Sequence, residues 1–595
     1  MASRILSMQS ISSGHNSASS SSHSSPSSSK FASPNNSSST NSTTNSYQVK
    51  SYSSSSDAVV CEEQLITPSR LKSKLSSNSG NQLSSGSGSN LNASYKWNLG
   101  LMNPDGKYLT AENFGFKINA SGNTLRKKQK WQVEQDLDEF FYLISPLGCY
   151  LSTDKYGKLT CEKLASDDDC KFLLETNAGG KWAFKSASHG YYFGGTGDHL
   201  HCFSKTPEWW IVHLAIHPQI NLRHVLRKRY ARLEDDEIHV DEIIPWGSDC
   251  LITIEFRDEK YAIRTSNGMY LHSDGKLTQA PSEDTLFNIE MHKGCVAFKV
   301  GTKLCSIKKK FSIASLYVLL LLKNKHGKYL TAVGPQGVVT ARSKCVTKDE
   351  LFIFDPYHIQ ISMIANNGKL VSVKQGVDVS ANQIELADTE TFQLEEDHVN
   401  EKWSFRTNTN RYWKLDTSNG VQANSDLRAP TCLFDMVWIK AGHVVLRAAN
   451  GKYVSAAATG HMRATSETVS DLEVFRVSLV NRPILVLKCE YGLIGYKNRT
   501  GYKLECNKST FNVIMLEECD DGYYTFKGSH GLYWDIGSDN SLSASSTVKN
   551  RFSMELLPNN KMLIRGPNGC YLKGEQNGNL TSIITDPKLA TQWEF

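Results

Sequence analysis

The sequence predicts an all-β fold, because a short hairpin unit recurs along most of the chain. Each unit has a turn with Gly or Asn, then an aromatic residue, then a small or aliphatic one, as in DGKYLTA around Tyr108. Twelve such units lie between Tyr108 and Tyr571, and ten of their eleven spacings fall within 38–42 residues. A second element, apolar–x–apolar around an aromatic such as Trp131, alternates with the first. Short alternating runs with Gly and Asn turns, without long helical stripes, indicate β-strands.

The period of about 40 residues fits either one propeller blade or one leaf of a β-trefoil. Propeller blades usually carry a WD-type or kelch-type signature, which this sequence lacks. A trefoil closes on three repeats, so twelve repeats divide into four tandem β-trefoil domains, and a twelve-bladed propeller is the less favoured alternative. The predicted domains are residues 94–219, 220–360, 361–482 and 483–595.

The N-terminal segment differs sharply from the repeats. Residues 1–93 are rich in Ser, with Asn, Thr and Gly. We expect this leader to be disordered, because it cannot bury enough apolar surface to offset the entropy of ordering it. It contains no apolar signal-peptide core, and the longest apolar run of the chain, 311–322, is too short to span a bilayer. We therefore predict a cytoplasmic protein without membrane insertion.

Composition limits the other classes of partner. The net charge is +6 with 21% charged residues, which is weak for a nucleic-acid binder. The 14 cysteines show no CxxC pair and no Cys/His cluster with zinc spacing, so we expect free thiols in a reducing compartment. No metal ion and no cofactor are predicted.

One interval breaks the repeat. Tyr270 and Tyr329 are 59 residues apart, and residues 300–323 between them are first basic and then apolar, without repeat texture. A long loop and a membrane-surface segment are two interpretations of this predicted insertion. The preferred hypothesis is a translated intron, because Val codons begin with GT, Lys codons can end with AG, and the 24 residues keep the reading frame.

Several motifs across residues 95–595 together point to one protein family. NPDGKYLTAENFGFKINASGNTLRKKQKW (103–131) is similar to the first-repeat signature of the fascin family. The resemblance implies four tandem β-trefoils, a monomer, and crosslinking of parallel actin filaments. The leader is not part of the family pattern. Further similar motifs follow in the family's order: HPQIN (217–221), IPWGSD (244–249), KDELF (348–352), DVSANQ (378–383), ETFQLE (390–395), NRPI (481–484) and YLKG (571–574).

The resemblance also implies which residues bind the filament. From composition alone, a basic run before Trp131 would be a solvated loop, but it resembles the family's site in the first trefoil. Two basic residues of the last trefoil match family positions that lie near this site when the domains fold back on one another. The expected actin-binding residues are Lys107, Lys117, Arg126, Lys127, Lys128, Lys130, Arg565 and Lys573.

The third trefoil departs from the family pattern. Where fascins have a lysine pair, this chain has SAAATG (455–460). A second filament contact in that region is therefore in doubt, and Lys497 with Arg499 is the possible replacement.

Thr124 is the predicted regulatory residue. It precedes a basic run, which suits a basophilic kinase, and fascins have a serine at this position. A phosphate would add about −1.5 to −2 charges to the basic patch. We expect phosphorylation of Thr124 to switch bundling off.

Three other functions are weighed against actin bundling. The sequence contains no nucleophile elbow, HExxH or P-loop, so an enzyme is not predicted. A carbohydrate-binding β-trefoil lectin is the alternative, although the repeated Gln-x-Trp motif of such lectins is missing. A heparin-binding trefoil is disfavoured by the weak net charge.

Overall fold

The computed structural model of this protein describes residues 95–114, 116–136, 139–292, 294–300, 327–498 and 501–595. Within these residues the chain forms 49 β-strands, paired antiparallel, and nine 3-10 helices of three residues each. The all-β prediction is confirmed. No helix in this part of the chain is long and apolar enough to cross a membrane. The predicted leader, 1–93, lies outside the described residues.

The first trefoil is a 12-stranded sheet in which β1 pairs with both β4 and β12. Pairing of its first and last strands closes the barrel. Its 3-10 helices are Lys127–Gln129 and Asp168–Cys170. Its strands are β1 Tyr95–Met102, β2 Tyr108–Ala111, β3 Ile118–Gly122, β4 Trp131–Gln135, β5 Phe141–Ile144, β6 Tyr150–Thr153, β7 Leu159–Lys163, β8 Phe172–Thr176, β9 Trp182–Ser186, β10 Tyr192–Thr196, β11 His199–Ser204 and β12 Ile211–Leu214.

The second trefoil is a second 12-stranded sheet, closed by the pairing of β13 with β24. Its 3-10 helices are Glu283–Thr285 and Lys348–Glu350. Its strands are β13 Gln219–His224, β14 Arg229–Glu234, β15 Glu237–Glu242, β16 Ile252–Arg257, β17 Lys260–Arg264, β18 Tyr270–Leu271, β19 Leu277–Thr278, β20 Leu286–His292, β21 Cys295–Val300, β22 Tyr329–Val333, β23 Val338–Ser343 and β24 Phe352–Pro356.

The third trefoil repeats this plan, and β25 pairs with β36. Its 3-10 helices are Asp388–Glu390, Pro430–Cys432 and Asp471–Glu473. Its strands are β25 Gln360–Ile364, β26 Leu370–Ser372, β27 Ser380–Gln383, β28 Phe392–Asp397, β29 Lys402–Arg406, β30 Tyr412–Leu415, β31 Val421–Ser425, β32 Asp435–Lys440, β33 His443–Arg447, β34 Tyr453–Ala456, β35 Met462–Ser466 and β36 Val474–Leu479.

The fourth trefoil divides its strands between a 5-stranded and an 8-stranded sheet. Its 3-10 helices are Asp520–Gly522 and Pro587–Leu589. Its strands are β37 Ile484–Leu485, β38 Lys488–Cys489, β39 Gly492–Tyr496, β40 Leu504–Lys508, β41 Ile514–Glu518, β42 Tyr524–Lys527, β43 Tyr533–Ile536, β44 Leu542–Ser546, β45 Ser553–Leu557, β46 Lys561–Arg565, β47 Tyr571–Gly574, β48 Leu580–Ile584 and β49 Trp593–Glu594.

Each predicted repeat residue begins a hairpin. From Tyr108 in β2 to Tyr571 in β47, it lies at the first strand residue of the hairpin or within two residues of it. The second predicted element forms the barrel strand that follows, and Trp131 at its start is fully buried. The sequence pattern missed this element at β16 and β41, where the buried residues Ile252 and Ile514 replace the aromatic ring.

The broken interval lies inside one hairpin. In eight of the other units a residue at the end of the barrel strand pairs with a residue six positions later, as Arg264 does with Tyr270, whereas Lys299 pairs with Tyr329. The excess is therefore 24 residues, the length expected of the insertion. Val300, where the predicted insertion began, is a buried strand residue whose N–H donates to the Lys328 carbonyl at 2.9 Å. Residues 301–323 lie outside the described part of the chain.

Buried hydrogen bonds join the second and fourth trefoils. The Gln219 side chain donates to the Ile484 carbonyl at 2.9 Å and accepts from the Val486 N–H at 3.0 Å. Tyr357 donates to the Asn481 carbonyl at 2.6 Å, between the second and third trefoils. Such buried bonds hold neighbouring trefoils at fixed orientations, because breaking them would leave polar groups unpaired in the interior.

Candidate functional site: a basic surface on the first trefoil

Eight of the nine 3-10 helices lie between the second strand of a hairpin and the barrel strand that follows, so their charges can be compared directly; the exception is Asp520–Gly522. Among the described residues, five of the other seven helices at this place contain Asp or Glu, as Asp471–Glu473 does. The Lys127–Gln129 helix instead has two lysines and no acid, and Arg126 precedes it as its N-cap residue. Within the described part of the chain, this is the only 3-10 helix with two basic residues.

Gln129 fixes the orientation of this basic helix. Its side chain is buried, its Oε1 accepts from the Arg126 N–H at 3.1 Å, and its Nε2 donates to Thr110 Oγ1 at 3.0 Å. Trp131 follows at once and donates from Nε1 to the Leu109 carbonyl at 3.0 Å. Because the third helical position is anchored inside, the first position, Lys127, is left exposed to solvent.

The neighbouring lysines have partners. Lys128 Nζ lies 2.6 Å from Glu112, and Lys117 Nζ lies 3.2 Å from Asp198 at the tip of the β10–β11 hairpin. Lys107 donates to the Asn123 side chain. The hydrogen bond from Lys128 holds the pKa of Glu112 below its usual value. Exposed pairs of this kind contribute little stability and separate readily when a partner offers better contacts.

Lys127 differs from these lysines. It makes no ion pair with any residue that the structure describes. Its charge is therefore available to an external partner without breaking an internal contact. Thr124 lies half-buried in the bend before this helix, three residues from Lys127.

A cleft of about 590 Å³ adjoins the basic helix and lies between the first, second and fourth trefoils. Seven cationic and three acidic side chains line it, so its electrostatic potential is positive. The cations are Arg126, Lys127, Lys130, Arg257, Lys488, Lys497 and Lys508, and the acids are Glu255, Asp258 and Glu490.

Lys130 has a more structural position than its neighbours. Burial lowers the pKa of Lys130, the charge of Lys488 lowers it further, and Glu594 acts in the opposite direction. Lys488 is itself paired with Glu594 at 2.9 Å. Lys130 thus lies where the first trefoil meets the fourth, and its ammonium group is less accessible than that of Lys127.

The structure separates the predicted basic residues into two places. Arg126, Lys127 and Lys130 line the cleft together with Lys497 of the fourth trefoil. Arg565 and Lys573 do not line it; they donate within their own trefoil, to the carbonyls of Gly569 (2.6 Å) and Leu589 (2.7 Å).

The predicted second contact falls partly outside the described residues. Lys497 is described, but Arg499 is not. Because Lys497 shares the cleft with Arg126, a contact through Lys497 would extend the first surface rather than form a separate one.

Sequence reasoning missed three cations of the cleft. Arg257, Lys488 and Lys508 come from strands far apart in the chain, and only the packing of the trefoils brings them together. Lys508 pairs with Glu505 at 2.6 Å. No local motif marks these residues as part of a cleft. Only the count of basic residues in the sequence could have suggested that more cations contribute.

Four tandem β-trefoils with a basic surface on the first define the class of protein. A family profile described as the fascin domain matches residues 105–209, 220–315, 366–477 and 494–595. Fascin-2 of Bos taurus is 37% identical over 509 residues, which cover 84% of this chain and 98% of that relative. Fascin-2 of Homo sapiens is 36% identical with the same coverage, and fascin of Strongylocentrotus purpuratus is 34% identical over 85% of this chain and 99% of its own. The chain belongs to the fascin family.

Proposed function

We propose that this protein binds actin filaments and crosslinks them into tight parallel bundles, without enzymatic activity. Membership of the fascin family supports this function. The observation that carries it is the basic Lys127–Gln129 helix, placed where most equivalent helices are acidic. Actin filaments are negatively charged, so a positive surface both steers and holds them.

Crosslinking requires at least two binding surfaces held at a fixed distance. A monomer can provide them only if its domains are rigidly joined, since flexible linkers would give loose networks. The buried hydrogen bonds of Gln219 and Tyr357 supply such joints. We infer that the protein acts as a monomer.

The first filament-binding surface comprises basic residues of the first trefoil, of which Lys117 and Lys127 are exposed. Lys107, Lys117, Lys127 and Lys128 lie around the basic helix, and Arg126 connects them to the cleft. Lys130, Arg565 and Lys573 stay proposed contacts, the first at the inner end of the cleft and the other two on the fourth trefoil. The second surface is not assigned to particular residues.

Regulation would act on the same surface. A basophilic kinase that phosphorylates Thr124 would place about −1.5 to −2 charges beside Lys127 and cancel its attraction to the filament. The expected location is the cytoplasm, on the actin cytoskeleton of filopodia and other actin-rich projections.

Actin sedimentation at two speeds tests the proposal. The purified protein should bring filaments down at low speed, which requires bundles, and should co-sediment with them at high speed, which requires only binding. Binding without low-speed pelleting would contradict crosslinking. A carbohydrate-binding function is not favoured by the family, and a glycan array provides the matching control: binding there, with none to actin, would overturn the proposal.

A further inference from the structure

The β14–β15 hairpin of the second trefoil collects charged groups on one face. Arg232 pairs across the hairpin with His239, and Glu234 pairs with Glu237. Alternate strand residues share a face, and the opposite face contributes Ile238 to the core. The outer face carries five ionisable side chains: Arg232, Glu234, Glu237, His239 and Asp241.

His239 stands out because it is buried without a hydrogen bond. It is only 5% exposed, and neither ring nitrogen has a hydrogen-bond partner among the described residues. Both nitrogens nevertheless face carboxylates: Nδ1 lies 3.2 Å from Glu234 Oε2, and Nε2 lies 3.5 Å from Glu237 Oε2. Buried polar atoms are almost always satisfied, so this imidazole calls for a partner.

The spacing of the groups suits a metal ion. One ligand atom from each of Glu234, His239 and Asp241 lies within 4.8 Å of the others. A tetrahedral Zn²⁺ with bonds of about 2.0–2.1 Å places its ligand atoms about 3.3 Å apart. The 3.2 Å between His239 Nδ1 and Glu234 Oε2 matches that edge. We propose that Glu234, His239 and Asp241 bind a divalent transition-metal ion of the Zn²⁺ type.

The charge of the face agrees with a divalent cation. Glu234, Glu237 and Asp241 supply three negative charges, and Arg232 offsets one of them. Arg232 binds both oxygens of Asp241, from Nε to Oδ1 at 2.8 Å and from Nη2 to Oδ2 at 3.1 Å, and its Nη2 also contacts Glu234. Each carboxylate has about four lone-pair positions and keeps room for a metal beside Arg232.

Glu237 lies on the side of the His239 ring opposite the proposed metal position. A histidine that ligates a metal through one nitrogen usually donates the other N–H to a carboxylate, which fixes its tautomer and orientation. Glu237 stands on the Nε2 side of His239 and is placed for that role. Imidazole with two carboxylates favours Zn²⁺ over Ca²⁺ or Mg²⁺, which prefer oxygen ligands alone. The ion would hold β14 and β15 together, and its binding would not depend on actin.

Titration of the metal-stripped full chain with Co²⁺, a coloured substitute for Zn²⁺, tests the site. We expect one Co²⁺ per chain, displaced by Zn²⁺, with an absorption spectrum of nitrogen and oxygen ligands. A thiolate charge-transfer band would instead place the metal on a cysteine such as the exposed Cys345 and overturn the proposal.

Substitutions locate the site. His239→Gln should weaken Co²⁺ binding at least tenfold, and Glu237→Gln about tenfold. Glu234→Gln should weaken Co²⁺ binding as much as His239→Gln does. Because Glu234 is half-exposed, this variant leaves the buried His239 ring in place. The matched control is His272→Gln, since His272 also lies beside carboxylates, 2.7 Å from Asp274, but is partly exposed. Zn²⁺ should raise the Tm of the wild type and the control but not of His239→Gln or Glu234→Gln. Equal Co²⁺ affinity in the wild type, His239→Gln and Glu234→Gln would refute the assignment.

Discussion

The first leaf of the first trefoil and the last leaf of the third contain the same short helix at equivalent positions of the repeat, with opposite charge. In the first trefoil it is Lys127–Gln129 after Arg126, and in the third it is Asp471–Glu473 after Ser470. In both, the third residue is buried and its side chain accepts from the N–H of the capping residue, at 3.1 Å for Gln129 and 2.7 Å for Glu473.

The comparison separates what the fold requires from what the partner requires. The buried third position is constrained in both trefoils, because it closes the helix. The first position, Lys127 or Asp471, makes no ion pair with the described residues, so its charge is free to vary. Lys128 at the second position does pair with Glu112, at 2.6 Å. A basic residue at the first position therefore points to an external acidic partner rather than to folding.

Charge reversal on the basic helix should have the largest effect. Lys127→Glu with Lys128→Glu should raise the protein concentration needed for half-maximal bundling at least tenfold, equivalent to about 1.4 kcal/mol. The attraction to the filament is replaced by repulsion, while Gln129 still closes the helix. Low-speed sedimentation measures the shift.

Lys348→Glu is the matched control, since Lys348 is likewise the exposed first residue of a 3-10 helix, in the second trefoil. Bundling should be unchanged in this variant. A similar loss in both variants would mean that net charge, not the first trefoil, determines binding.

A phosphomimetic change next to the helix should have a smaller effect. Thr124→Glu adds one negative charge three residues before Lys127, and we expect about a threefold weaker bundling, as for one exposed charge pair. Thr468 occupies the equivalent place before Asp471, so Thr468→Glu is the control and should bundle normally. A Thr124→Glu protein that bundles like the wild type would dismiss the regulatory hypothesis.

The cleft should contribute more to filament binding than the fourth-trefoil residues that do not line it. Lys497→Glu should weaken filament binding about twofold to threefold, the size of one exposed charge contact, because Lys497 lines the cleft beside Arg126. Lys573→Glu should have less effect, since its ammonium group already donates to the Leu589 carbonyl. High-speed sedimentation compares the two variants, and the reverse order would place the contact at Lys573.

Lys130→Met should give the smallest change, and in stability rather than binding. Burial lowers the pKa of Lys130 below its ordinary value of 10.5, so the unfolded chain holds this proton more tightly than the folded one. The charged lysine therefore costs stability at neutral pH, and the cost falls as the pH rises through the folded pKa towards 10.5. Thermal unfolding should show a higher Tm for Lys130→Met at pH 7 and a smaller gain at pH 10. A lower Tm at pH 7 would show that Lys130 stabilises the contact between trefoils.

Much of the fold could be predicted because its repeats depend on local chemistry. Residues such as Tyr108 and Tyr571 follow a Gly-containing turn and start a hairpin, and that pattern is visible in the sequence. The pattern for the barrel strands missed Ile252 and Ile514, because at these positions an aliphatic side chain fills the core without the aromatic signature.

The candidate site was less predictable. The basic residues from Arg126 to Lys130 lie close together in the sequence, but the difference between the exposed Lys127 and the half-buried Lys130 depends on the packing of the fourth trefoil. The same packing decides that Lys497 lies in the cleft, whereas Arg565 and Lys573 do not. Neither the exposure of each lysine nor its place in the cleft follows from the local spacing of residues in the sequence.

Zero-length carbodiimide crosslinking of wild-type bundles, read by mass spectrometry, tests most directly whether the basic helix of the first trefoil touches the filament. This chemistry joins a lysine to a carboxylate only when the two are in contact. We predict crosslinks from Lys127 or Lys128 to acidic residues of actin and none from Lys348. Crosslinks from Lys348 without any from Lys127 or Lys128 would contradict the account.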